Sequence, residues 1–294
     1  MSFTKRRIDL TFQLGEGNFG ESGSNVVTVS GLRVAASIHN TGGIGMSEAS
    51  IKVYGMKLDL MNRLSILGKY LTEARRNVIT ITAGDDVSGM SQCFQGILTE
   101  AWADLNSSPQ VSFICVAQAG LLGAMKPAAP TSYRGSADVA VVLSGIAAQM
   151  GVTFENSGVS VQLANVYKSG TLRDQAIALA RDADINILCD SQILAIWPKA
   201  GKRNGLVPLI SAETGMVGYP VTTQNGLQVQ TIFNPSIVFG SNVQIKSIIT
   251  PAVGEWTIFN LTHDLESEMP GGKWFTNLEC SLLGKPLPIA AANG

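Results

Sequence analysis

The stretch Glu213–Lys246 reads ETGMVGYPVTTQNGLQVQTIFNPSIVFGSNVQIK, and its pattern decides the fold class. Thr214-Gly215, Tyr219-Pro220 and Asn225-Gly226 are turn dipeptides. Leu227 to Ile232 alternates apolar and polar side chains, as does Val243 to Lys246 with its continuation Ser247-Ile248. A period of two marks a strand with one buried face. Phe233 to Gly240 lies between these strands, and its Pro235 cannot donate to a ladder, so it marks a corner. The stretch has no constellation suited to an active centre. It predicts a small closed β-unit.

Similar signals run outward from it. Arg7–Phe12, Val26–Val29, Leu32–Ile38 and Ala49–Tyr54 alternate in strand fashion. Residues 57–70 switch to helical spacing through Leu60, Met61, Leu64, Leu67 and Gly68, with Asp59 near the start and Lys69 near the end, as the helix dipole favours. Strands resume at Asn77–Ala83, Ser91–Ala101 and Gln110–Ala117, with Gly84-Asp85-Asp86 as a turn. So many strands must close or pack on themselves to hide their edges, and residues 1–118 are expected to form a small β-barrel.

A loop rich in Gly, Ala and Pro over 119–135 sets a boundary. Ser136 reads as the N-cap of a helix through Val139, Val142, Leu143, Ile146, Ala147 and Met150, closed by Gly151. Short strands at Val152–Phe154 and Val159–Leu163 follow. A second helix starts near Thr171, and a hairpin pairs Ile185–Cys189 with Ile193–Trp197. Residues 119–203 are thus an α+β insert. After the polar linker Gly201–Gly205, strands return through the opening stretch to Trp256–Leu261 and Trp274–Cys280, giving a second β-barrel over 204–284. Residues 285–294 are expected to be a flexible tail. The fold class is mainly β with an α+β insert, two small β-barrel domains flanking an α+β domain.

The 294 residues suffice for two or three domains. Net charge is −1, from 21 basic and 22 acidic residues without a basic stripe, which argues against a nucleic-acid surface and any sequence-specific nucleic-acid partner. Lys5-Arg6-Arg7 reads as a solvated terminus. Charged residues are only 15% of the chain and hydrophobic ones 45%, which suits either a membrane protein or one covered by partners. No apolar run approaches the roughly 20 residues of a spanning helix, so no membrane insertion is expected. No apolar core follows the N-terminal charges, so no signal peptide is expected. Assembly is the better explanation, because interface cores are depleted in charge. Cys93, Cys115, Cys189 and Cys280 lie far apart in apolar surroundings and read as reduced, small hydrophobes.

Candidate chemistry is thin. Gly15, Gly17 and Gly20 fit G-x-G-x-x-G after a strand, but Glu21–Asn25 and another strand follow where the phosphate-binding helix should open, so a hairpin loop is the reading. His39 and His263 fall in opposite β-units without metal-ligand spacing. The densest polar cluster is His263-Asp264 with Glu266-Ser267-Glu268, where a hydrolase could place two carboxylates; a solvated strand-end loop is the simpler reading. Trp102, Trp197, Trp256 and Trp274 read as core or rim packing, with interface anchoring as the functional alternative. No catalytic, cofactor-binding or metal residue is expected.

The layout resembles the baseplate hub proteins of contractile-tailed bacteriophages over nearly all of residues 5–280. Ala49–Met56, the helix to Leu67, Asn77–Asp85 and Cys93–Leu98 carry the resemblance in the first β-unit; Thr214–Pro220, Phe233–Gly240 and His263-Asp264-Leu265 before Gly271–Trp274 carry it in the second. The resemblance implies tail-tube-like barrels and a homotrimer in which two barrels per chain give quasi-sixfold symmetry. Such a hub joins a hexameric tail tube protein to a trimeric central spike protein, among other baseplate proteins, in a virion assembled in the host cytoplasm. The chain has no β-helical spike repeat, so the spike is expected to be a separate polypeptide touched by Lys285–Gly294. The competing readings are a cell-wall (peptidoglycan) hydrolase using the 263–268 acids and a glycan-binding tail component built on the insert.

Overall fold

The computed structural model describes residues 4–19, 23–42, 45–66, 76–106, 108–125 and 127–282. Gly20, Leu67–Lys69 of the first expected helix, and the expected tail 285–294 lie outside them. The chain begins with β1 (Arg6–Gln13), β2 (Val26–Val29), β3 (Val34–Asn40), β4 (Glu48–Tyr54), α1 (Leu58–Leu64), β5 (Val78–Asp85), β6 (Gly89–Asp104) and β7 (Ser112–Gln118). Then come α2 (Leu121–Met125), β8 (Thr131–Asp138), α3 (Val139–Met150), β9 (Thr153–Asn156), β10 (Gln162–Lys168), α4 (Leu172–Asp182), β11 (Ile185–Cys189) and β12 (Ile193–Pro198). The chain closes with β13 (Leu209–Ile210), β14 (Met216–Thr223), β15 (Gly226–Ile232), β16 (Asn242–Ile245), β17 (Gly254–Ser267) and β18 (Trp274–Leu282). The fold is mainly β.

Two compact units share the chain. The first takes Met1–His39, Glu48–Ala119 and Thr262–Thr276; the second takes Asn40–Ser47, Gly120–Leu261 and Asn277–Gly294. Strands β17 and β18 therefore contribute to both.

In the first unit the ladder order is β2-β1-β5-β6-β7-β4-β3-β17. Period-two burial builds it: Ile8, Leu10 and Phe12 of β1 point inward, with Ile79 and Ile81 of β5 and Phe113 of β7 in the same core. Phe12 and Phe113 meet edge to face at 6.3 Å between ring centroids. The opposite face is laced by side-chain hydrogen bonds between neighbouring strands, including Thr11 with Thr28 and Gln118 with Glu48.

The second unit has the ladder order β13-β16-β17-β18-β15-β14, a three-stranded sheet β11-β12-β9, a ribbon β8-β10, and helices α3 and α4. It holds separate apolar cores. One gathers Leu143, Ile146, Leu179, Leu194 and Ile196; another gathers Ile210, Leu227, Val243, Ile258 and Leu278. Helix α4 starts just after Thr171, where the sequence leads one to expect it, and opens with a capping box, Thr171 to Asp174. Helix α3 is capped by Asp138, whose Oδ1 accepts from the Ala140 N–H at 2.8 Å. Ser136, expected as the cap, instead lies in β8, where its hydroxyl donates to Gln162 of β10. The expected loop 119–135 likewise contains α2 and the start of β8.

Among the described residues neither order closes into a barrel: β2, β13 and β14 each have one ladder neighbour. At β13 the reason is local. The Thr214 hydroxyl donates to the Leu209 carbonyl at 2.8 Å and accepts the Ser211 N–H at 2.8 Å, occupying backbone groups that a closing strand would use. Tyr219-Pro220, read as a turn, is part of a bulge within β14, where the register jumps between Val217 and Val221.

Candidate functional site

The acids at 263–268 were expected in a strand-end loop, but β17 runs through Ser267. Alternation therefore sets their environments. His263, Leu265 and Ser267 are buried, while Asp264 and Glu266 face the other way. His39 and His263, expected in opposite β-units, both belong to the first unit, because the end of β17 pairs there with β3.

Each polar group has a local partner. His263 Nδ1 lies 2.9 Å from Thr276 Oγ1, and burial pushes its pKa down to about 4 despite the opposing field of Asp264. The ring is therefore neutral at pH 7. Ser37 Oγ donates to Asp264 at 2.8 Å, and His39 Nδ1 bonds Thr262 on the same sheet face. Glu266 ties the β17–β18 hairpin: its N–H donates to the Lys273 carbonyl and its carboxylate accepts the Lys273 N–H at 2.9 Å. Glu268 pairs with Lys5 at 2.8 Å. The Lys5-Arg6-Arg7 run is engaged as well, with Arg6 over the Trp274 ring and Arg7 on Asp9 at 3.0 Å. The arrangement fixes strand register and a hairpin.

This gives a pH-dependent expectation. A histidine held neutral by folding binds its proton in the unfolded chain first, so stability is full above the ordinary histidine pKa and falls as pH drops toward about 4. The loss over that window is on the order of 3 kcal/mol. Denaturant midpoints between pH 7 and 4, compared with a His263→Gln variant, check it; an equal pH slope in the variant counts against it.

Other flagged residues are placed plainly. The Gly15–Gly17 segment belongs to the hairpin joining β1 and β2, closed by Leu14 N–H on the Asn25 carbonyl and Phe19 N–H on the Ser24 carbonyl. Trp197, Trp256 and Trp274 are buried, whereas Trp102 is 42% exposed. All four cysteines are free thiols. Burial pushes Cys93, Cys115 and Cys280 up to about 12 and Cys189 to about 11. Cys93 is half-buried and the other three are buried, so a disulfide-exchange reagent at pH 8 is expected to leave Cys115, Cys189 and Cys280 unlabelled until the protein unfolds; rapid native labelling of these three would contradict their burial.

Sequence reading gave Arg203 no role beyond a polar linker, yet it is buried. Its Nε and Nη2 grip Glu155 at 3.1 and 2.7 Å, and Nη1 donates to the Phe239 carbonyl at 3.1 Å. The Arg203 guanidinium holds the Glu155 carboxyl below its usual range. No local pattern announces such a residue, because its partners are distant in sequence.

The model of a family described as Baseplate hub gp41 matches residues 7–280. The chain belongs to the baseplate hub family. The hub is thus a structural component of a virion tail. No curated protein matches it in sequence. In structure the hub is similar to a tail protein from Neisseria meningitidis MC58, at 8% identity and a TM-score of 0.60, with 96% of this chain and 99% of that one covered. It is also similar to an E. coli type VI secretion component, described as resembling the T4 tail proteins gp27 and gp5, at 9% identity and 0.57, covering 88% and 76%. A third likeness is to a PdpA–VgrG complex, at 9% identity and 0.51, covering 97% and 67%. At such identities the likeness concerns the fold.

Proposed function

We propose that the hub is a homotrimeric symmetry adapter. Each chain supplies two tube-like β-units, so three chains present six positions to a hexameric tail tube and threefold symmetry to a separate central spike. The family match across 7–280 carries this reading, because it spans both β-units and the insert between them. The segments 1–118, 119–203 and 204–284 are the proposed sequence modules, with 119–203 outside the ring or between copies and 285–294 toward the spike. The likeness to a chain in a complex containing VgrG favours a spike partner, and the likeness to tail proteins favours a tube partner. Barrel-like closure belongs to the assembled ring. The proposed partners also include other baseplate proteins, with assembly in the host cytoplasm before incorporation into the virion. Mass in solution and electron microscopy of the purified protein test the reading. A threefold ring with six lobes is expected; a stable monomer that binds neither tube nor spike would sink it.

A further inference from the structure

Asparagine followed by glycine occurs at Asn204-Gly205, Asn225-Gly226 and Asn293-Gly294. The last pair lies outside the described residues. The dipeptide carries latent chemistry. The glycine nitrogen can reach the carbonyl carbon of the asparagine side chain and close a five-membered ring, because glycine has no Cβ to obstruct the approach. In a folded chain the outcome depends on how free the two groups are.

The two described pairs differ in that freedom. Asn204 and Gly205 form an exposed bend of the second unit, between β12 and β13. The Asn204 N–H donates to Ser157 Oγ at 3.0 Å, which anchors the bend on its upstream side. Among the described residues, neither the Asn204 side chain nor the Gly205 N–H enters a hydrogen bond. Nothing lies within 4 Å of a Cβ placed on Gly205. Leu206 is 77% and Val207 40% exposed, so the chain just beyond has little packing to resist a shift. Asn225 is exposed too, but its glycine is held. Gly226 pairs with Thr223 across a two-residue turn, and the Cys280 carbonyl of β18 lies close on its other side. Turning the Gly226 nitrogen toward Asn225 breaks into that ladder.

We propose that Asn204 is a site of spontaneous deamidation, with water as the only co-reactant. The proposal does not rest on the trimer reading. Hydroxide removes the Gly205 amide proton, and the nitrogen attacks Asn204 Cγ. The Cγ–Nδ2 bond breaks, and ammonia leaves with a proton taken from water. Water then opens the ring. Breaking the ring nitrogen's bond to Cγ gives aspartate; breaking its bond to the main-chain carbonyl gives isoaspartate. One water enters, one ammonia departs, and nothing is oxidised. A neutral amide becomes a carboxylate, so the formal charge of the chain moves from −1 to −2. The isoaspartate product also lengthens the main chain by one methylene, which the exposed 204–207 stretch can absorb. A finished virion has no synthesis to replace its parts, so the product accumulates as the particle ages.

The test incubates the full chain in mildly alkaline buffer and samples it over days. Cleavage after glutamate separates the sites, since Asn204 falls between Glu155 and Glu213 and Asn225 between Glu213 and Glu255. Mass spectrometry is expected to show a gain of about one dalton at 204 about tenfold faster than at 225, the factor that one retained backbone hydrogen bond supplies. Denaturant is expected to bring the two rates level. In Asn204→Gln the gain should vanish from the first peptide, along with the matching acidic band in isoelectric focusing. Equal rates in the folded protein overturn the proposal, as does faster conversion at 225 or conversion of 204 only after unfolding. A difference that persists in denaturant also overturns it, because local sequence and not the fold would then set the rates.

Discussion

Gly226→Ala is expected to destabilise the protein by about 3–5 kcal/mol, from a strained backbone and an overpacked contact together. Gly226 has φ of 147°, and a Cβ placed there would stand 2.0 Å from the carbonyl oxygen of Cys280. That oxygen belongs to β18, so it cannot swing aside as a flexible side chain would. Relief requires parting β15 from β18, next to buried Leu227 and Leu278. Gly254 supplies the control: its φ of 143° is similar, but nothing lies within 4 Å of a Cβ there. Gly254→Ala should cost only the backbone part, about 1–2 kcal/mol. Denaturant unfolding of both variants separates the two contributions, and equal losses would show that the Cys280 contact is not the limiting one.

Arg203→Ala comes next, with an expected loss of about 3 kcal/mol, the low end for one partner of a buried pair, because Glu155 keeps some access to water. The substitution strands the Glu155 carboxylate and leaves the Phe239 carbonyl without its guanidinium donor. Glu155→Gln should cost less, since an amide keeps one acceptor and carries no charge. Unfolding measurements on Arg203→Ala, Glu155→Ala and the double variant give the coupling directly. The pH dependence has a definite sign. Folding lowers the Glu155 pKa, so the pair's contribution is full above the ordinary carboxylate range and is lost as pH falls through the folded value. If Arg203→Ala shows the same acid sensitivity as the wild type, the pair is not its source.

Much of the fold was legible because burial alternates where the sequence does. Strands β5, β7 and β15, helix α3 and the start of α4 after Thr171 all follow from local pattern. Features that depend on a distant partner were not legible. Ser136 has good cap chemistry, but pairing with Gln162 draws it into a strand and leaves the cap to Asp138. Tyr219-Pro220 has turn chemistry, but the ladder with β15 resumes at Val221 and absorbs it as a bulge. The 263–268 cluster looked like a solvated loop because its strand partners, β3 and the hairpin to Lys273, lie far away or across a turn. Periodicity reports which face a residue occupies; it does not report which neighbour receives that face. Hence two histidines far apart in sequence share one unit, and Arg203 looked like a linker residue.

The discontinuity of the first unit bears on how the molecule is made. Its strands come from Met1–His39 and Glu48–Ala119, yet its ladder also needs Thr262–Thr276. During synthesis the early strands leave the ribosome long before their last neighbour exists. Until it arrives, the free side of β3 must wait with its backbone groups unpaired, and closing so long a loop makes this a late step. The newborn protein is therefore most exposed to wrong pairings until residues 262–276 have emerged. Neither unit can be produced as an uninterrupted fragment, since each borrows strand from the other's stretch of chain.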